Sequence, residues 1–157
     1  MAPQESSGGP ALPSRARPTD LGLQGGTEYV EGWGMSAGAH SRVWRPRSAD
    51  EVVEAMAAVR DRGTSVALRG SGCSYGDASI NRTGDVLDVT RMNRILSFDE
   101  ETGVADCEGG VTLRDLWRHS LPRGFWPKVV SGTMFPTLAG AAGMNIHGKN
   151  NYKVGTL

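Results

Sequence analysis

The residues in this chain best suited to chemistry form the run LRGSGCSYGDA, Leu68 to Ala78. It sets three glycines, two serines and an arginine directly behind the apolar stretch TSVAL. Gly70, Gly72 and Gly76 carry no Cβ, so the backbone can turn through positive φ and approach a ligand closely. Successive N–H groups can then converge on one anion. Arg69, Ser71 and Ser74 add donors that suit a phosphate, with Cys73, Tyr75 and Asp77 at the remaining positions. A second glycine-rich run, SGTMFPTLAGAAGMNIHGKN from Ser131 to Asn150, offers another surface of the same kind. Two amide-rich surfaces on one chain imply an extended ligand with two phosphates rather than a single bound ion.

Neither run matches the common nucleotide fingerprints. A dinucleotide-binding G-x-G-x-x-G must open a helix, whereas the glycines at 70, 72 and 76 miss that spacing by one and no helical pattern follows them. No Gly-Lys-Ser/Thr is present to make a Walker loop. The phosphate-cradling physics can hold although both common nucleotide motifs fail, the alternative being an ordinary tight loop.

The elements that must position these loops can be read from the sequence. TEYVEGWG and SRVWR read as short strands. Ser48 then opens a helix as N-cap, with Glu51 closing a capping box and Val52, Val53, Met56 and Val59 at helical spacing, until Gly63 ends it. Thr64–Leu68 is a strand that delivers the chain into the first glycine loop. Asp85–Thr90 is another, and Ile95–Asp99 with Gly103–Glu108 form a hairpin about an acidic turn. A second helix starts at Thr112 as N-cap, with Leu113, Leu116 and Trp117 on its apolar stripe, and stops near Pro122 and Gly124. Phe125–Val130 reads as a further strand. This order predicts an α+β or mixed α/β fold rather than a uniform βα alternation.

Bulk properties narrow the function classes. A chain of 157 residues supports one domain with a sizeable core. Lys plus Arg balance Asp plus Glu at 17 each, which argues against nucleic acid or an anionic lipid surface as partner. Cys73 and Cys107 lack metal-ligand spacing and are too few for a disulfide scaffold, so no metal site and a reducing, cytoplasmic setting are expected. No apolar run reaches the roughly 20 residues of a transmembrane helix. Residues 1–26 hold four prolines and five glycines and read as a disordered leader, leaving 27–157 as the folded domain. The second glycine-rich run ends at Asn150, seven residues before Leu157, and more protein is expected to follow.

Taken together, Arg69-Gly70-x-Gly72-x-Ser74-Tyr75-Gly76-Asp77, Ser131-Gly132-Thr133 and Ile146-His147-Gly148-Lys149-Asn150 resemble a known family. It is the PCMH-type FAD-binding domain of vanillyl-alcohol-oxidase flavoproteins. Within it the chain is most similar to decaprenylphosphoryl-ribose oxidases and to sugar and aldonolactone oxidases. The resemblance runs from about Gly32 to the end of the chain. It implies two small α/β subdomains with FAD between them. The loop at Arg69–Asp77 would wrap the diphosphate. Gly132 and Thr133, then Thr137, Leu138, Ala139, Gly140 and Ala141, would touch the cofactor from the other side, and Met144, Asn145, Ile146 and His147 would approach the flavin end.

Many members hold FAD covalently through a histidine in the first loop and sometimes a cysteine in the second. Here Cys73 and Phe135 occupy those places, which implies non-covalent FAD. His147 and Lys149 are the flavin-face candidates, unless both merely order their loop. The implied function is the FAD-binding portion of an oxidoreductase that moves hydride from a sugar-like alcohol to flavin. Its catalytic residues would lie beyond this segment, which alone would be inactive. The alternatives are an aldonolactone or alditol oxidase using oxygen, and a non-catalytic flavin-binding module. The oligomeric state stays open.

Overall fold

A computed structural model describes residues 26–157, so the leader expected over 1–26 lies outside the described residues but for Gly26. Strand β1 (Thr27–Glu31) pairs antiparallel with β2 (Gly38–Trp44), Thr27 facing Arg42 and Glu31 facing Gly38. Helix α1 (Ala49–Asp61) connects β2 to β3 (Val66–Arg69). Strand β4 (Asp85–Asp88) then enters between them, parallel to both, and gives the order β1-β2-β4-β3. A second lobe follows. It comprises the hairpin β5 (Ile95–Phe98) and β6 (Ala105–Cys107), helix α2 (Leu113–Ser120) with a 3-10 turn at Leu121–Arg123, and the short helices α3 (Leu138–Gly143) and α4 (Asn151–Val154). The fold is α+β, as expected. Among the described residues no helix is long and apolar enough to cross a membrane.

Alternation along β2 and β4 divides the core between the two faces of the sheet. Trp44 and Leu87 point to one side, where Ala55 and Val59 of α1 cover them, flanked by Val52, Ala58 and Val66. Val43 and Val86 point to the other, where they meet Val30 and Ile80. Ile80 sits just past the glycine loop, so burial of this one side chain ties the loop's far end to the sheet. Asp85, buried within β4, is satisfied by the Trp44 indole N–H at 3.3 Å and by the Thr64 hydroxyl.

Local signals held at both long helices, with corrections to detail. Ser48 Oγ accepts the Glu51 N–H at 3.2 Å, yet the Glu51 carboxylate does not close the expected box. It reaches one residue further back, to the Arg47 N–H at 2.7 Å. Val53 and Met56, expected on the apolar stripe, are exposed, because the buried face of α1 runs through Val52, Ala55 and Val59 instead. Around α2 the box is complete: Thr112 and Asp115 each accept the other's backbone N–H.

Phe125–Val130 is not a strand. Pro127 has no N–H to give a ladder, and the neighbouring groups have other partners. The Phe125 N–H caps α2 at Ser120 O, and Lys128 O accepts from the Asn150 side chain. Phe125 itself packs edge-on against Phe98, ring centroids 5.7 Å apart.

Candidate functional site

The first glycine loop leaves the carboxyl end of β3 and carries a row of unused donors. Among the described residues none of the backbone N–H groups from Ser71 to Gly76 donates to another protein group. Two of its carbonyls, by contrast, are engaged. Gly72 O accepts the Trp33 N–H at 2.8 Å and Tyr75 O accepts the Ser36 hydroxyl at 2.8 Å. An amide row without protein partners, on a loop anchored through its carbonyls, has the donor pattern of an anion-binding nest.

Arg69 takes a part the sequence did not disclose. Its guanidinium crosses inside the loop, donating to Ser79 Oγ at 3.1 Å and to Glu31 O at 2.9 Å. Gly72, with φ of 69°, passes so close to this guanidinium that a Cβ would lie 2.4 Å from Nη2. Arg69 thus braces the loop from Glu31 to Ser79, with its guanidinium packed against Gly72. Cys73 is half-buried, and burial pushes its thiol pKa up, with Arg69 opposing part of the shift. Ser74 is half-buried, whereas Ser71, Tyr75, Gly76 and Asp77 are exposed to solvent.

The second run divides into parts with different tasks. At the start of α3 the Leu138 and Ala139 N–H groups go to Val111 O and Gly109 O, at 2.7 and 2.9 Å, and Gly140 N–H goes to the Thr137 hydroxyl at 3.2 Å. This helix start is therefore docked onto the protein and does not offer the amides expected of it. The amides of Gly132, Thr133, Met134 and Phe135, just upstream, have no partner among the described residues. Thr137 is buried and meets the first loop directly, its side chain filling the space a Cβ on Gly70 would need. Ala139 packs in the same way against Gly109, and Ala141 is fully buried.

Beyond α3, Asn145 adopts φ of 49° and ends the helix, with Met144, Asn145 and Ile146 N–H groups capping the carbonyls of Gly140, Ala142 and Ala141. Ile146 O accepts the Leu157 N–H at 3.0 Å, so the end of the chain runs back along this segment. The structure brings Gly70 and Thr137 together but leaves His147 and Lys149 exposed, their side chains without a hydrogen bond or ion pair among the described residues, while the His147 backbone bridges to Thr156. Sequence reasoning missed Trp33 and Ser36. The visible signal was the Gly32-x-Gly34 pair after β1, a spacing that frees backbone for close approach.

The family model described as an FAD binding domain matches residues 40–157. The chain is 38% identical over 131 residues to the decaprenylphosphoryl-beta-D-ribose oxidase of Mycolicibacterium smegmatis, covering 83% of this chain and 28% of that protein. It is 37% identical over 78 residues to an L-gulono-1,4-lactone dehydrogenase of Mycobacterium tuberculosis, 50% of this chain and 18% of that one. With the D-arabinono-1,4-lactone oxidase of Eremothecium gossypii it shares 29% identity over 131 residues, 79% and 24% of the two chains. The chain thus spans between 18% and 28% of the length of these curated relatives.

Proposed function

The chain belongs to the FAD binding domain family, and from that premise we propose that residues 27–157 form the FAD-binding unit of an oxidoreductase acting on a sugar-like alcohol. The observation that carries the proposal is the row of unpaired amides from Ser71 to Gly76, backed by carbonyls fixed to the β1–β2 turn. These amides would hold the diphosphate. Gly132 and Thr133 would add donors from the second lobe. Small residues between Thr137 and Ala141 would let backbone approach the cofactor, and Met144 to His147 would line its flavin end.

Bound FAD would supply the redox chemistry, accepting hydride from a carbinol carbon. The chain's own contribution is binding and orientation. His147 and Lys149, exposed and free of ion pairs among the described residues, are available to face an oxygen-rich substrate. Attachment would be non-covalent, since Cys73 holds its proton more firmly than a free thiol and Phe135 has no nucleophile. The lactone dehydrogenase and lactone oxidase among the relatives support a second reading, an aldonolactone or alditol oxidase. A cytoplasmic setting accords with two unpaired thiols.

Titrating the purified protein with FAD, FMN and riboflavin tests the assignment. FAD is expected to bind most tightly, because it alone carries the diphosphate. Equal affinity for all three, or no binding of FAD, would overturn it. Oxidation of sugars by the 157-residue chain at an ordinary enzymatic rate would overturn the view that its substrate-binding residues lie elsewhere.

A further inference from the structure

We infer that the β1–β2 turn, Gly32 to Ser36, is the template that aims the loop's amides at the diphosphate, an inference that rests on the FAD reading above. The turn precedes the stretch matched by the family model, which starts at residue 40. It nonetheless makes the contacts that decide which way the loop's peptide groups face. In a trans peptide the C=O of one residue and the N–H of the next point in opposite directions. No cis peptide occurs among the described residues. Fixing a carbonyl toward the turn therefore sends the following N–H away from it.

The Trp33 N–H holds Gly72 O at 2.8 Å, which directs the Cys73 N–H outward. The Ser36 hydroxyl holds Tyr75 O at 2.8 Å and does the same for Gly76. Ser74 O and Gly76 O both lie 2.9 Å from where a Cβ on Gly32 would stand, and Tyr75 O lies closer still to that of Gly34. Two glycines, Gly32 and Gly34, are thus required for the carbonyls of Ser74, Tyr75 and Gly76 to lie against the backbone of the turn. The turn itself is held by the Met35 N–H to Gly32 O at 3.0 Å, with Met35 at φ of 49°, a conformation costly for a residue with a side chain. Strain kept at this position accords with a positioning role.

Three variants of the protein test the inference: Ser36→Ala, Ser36→Thr and Gly34→Ala. The readouts are FAD Kd, the 31P resonances of bound FAD, and the melting temperature without FAD. Ser36→Ala should weaken FAD about three-fold, since its hydrogen bond is exposed and competes with water, and should move the 31P resonances with the melting temperature unchanged. Ser36→Thr, which keeps the hydroxyl, should restore both. Gly34→Ala should weaken FAD by about ten-fold or more, by displacing Tyr75. If the Ser36 variants bind FAD like the wild type with unshifted 31P resonances, the inference fails and the FAD reading stands. A fall in affinity that merely follows a fall in melting temperature, at unshifted resonances, also defeats it. If the wild type binds no FAD, both fall.

Discussion

Gly70 and Thr137 interlock. The threonine side chain occupies the volume a Cβ on Gly70 would fill, while its hydroxyl accepts the Gly140 N–H at 3.2 Å and caps α3. One buried side chain thereby joins the loop after β3 to the first turn of the helix in the second lobe. The two glycine-rich runs, far apart in sequence, meet here without a bridging charge.

Gly70→Ala should destabilise the protein by about 1–3 kcal/mol through overpacking against Thr137. Thr137→Ala alone should cost about 1 kcal/mol through loss of the cap. The double variant should be more stable than the sum of the two losses implies, because removing the hydroxyl makes room for the new methyl group. Urea denaturation of all four proteins gives the coupling energy. Strict additivity would show that the two residues do not press on each other.

Local chemistry was legible wherever it depends on few residues. Gly70, Gly72 and Gly76 behind a β-branched run announced the loop, and Thr112 marked a helix start that the structure reproduces. The face of α1 was harder, since VVEAMAAV places apolar residues around most of the helix and periodicity alone does not choose between Val53 and Ala55. The entry of β4 between β2 and β3 is a long-range pairing, set by how Val43, Val86 and Ile80 close one core and Trp44, Leu87 and Val59 the other. Arg69 looked like a phosphate donor because its type suits one. Its two hydrogen bonds inside the loop depend on where Glu31 and Ser79 arrive in space.

Cys73 gives a prediction about attachment. Burial raises its thiol pKa and Arg69 offsets only part of that, so the reactive thiolate is scarcer at neutral pH than for a free cysteine. In a Cys107→Ser background, iodoacetamide should modify Cys73 more slowly than it modifies glutathione. Acid precipitation of FAD-loaded protein should leave the flavin in the supernatant. Colour retained in a washed pellet would establish a covalent bond and refute non-covalent binding.

Acid should loosen the second lobe through Glu108. Its carboxylate closes the hairpin of β5 and β6, accepting the Arg94 N–H at 2.8 Å, Nε at 3.0 Å and Nη2 at 2.6 Å. The Arg94 side-chain hydrogen bonds, seconded by the backbone N–H, hold the Glu108 pKa below its ordinary value of 4.5. A depressed carboxylate pKa means that the folded form binds its proton less readily than the unfolded chain does. The stabilisation is thus complete above about pH 4.5 and is lost as pH falls through the lowered folded value. Glu28, held below its ordinary value by Arg45, acts in the same direction on the four-stranded sheet. Denaturation midpoints measured from neutral pH downward should therefore fall in that acid window. Glu108→Gln should start lower and decline less steeply, retaining only the slope due to Glu28 and its like. Parallel curves for the wild type and Glu108→Gln would show that the Arg94 pair adds nothing that protonation can remove.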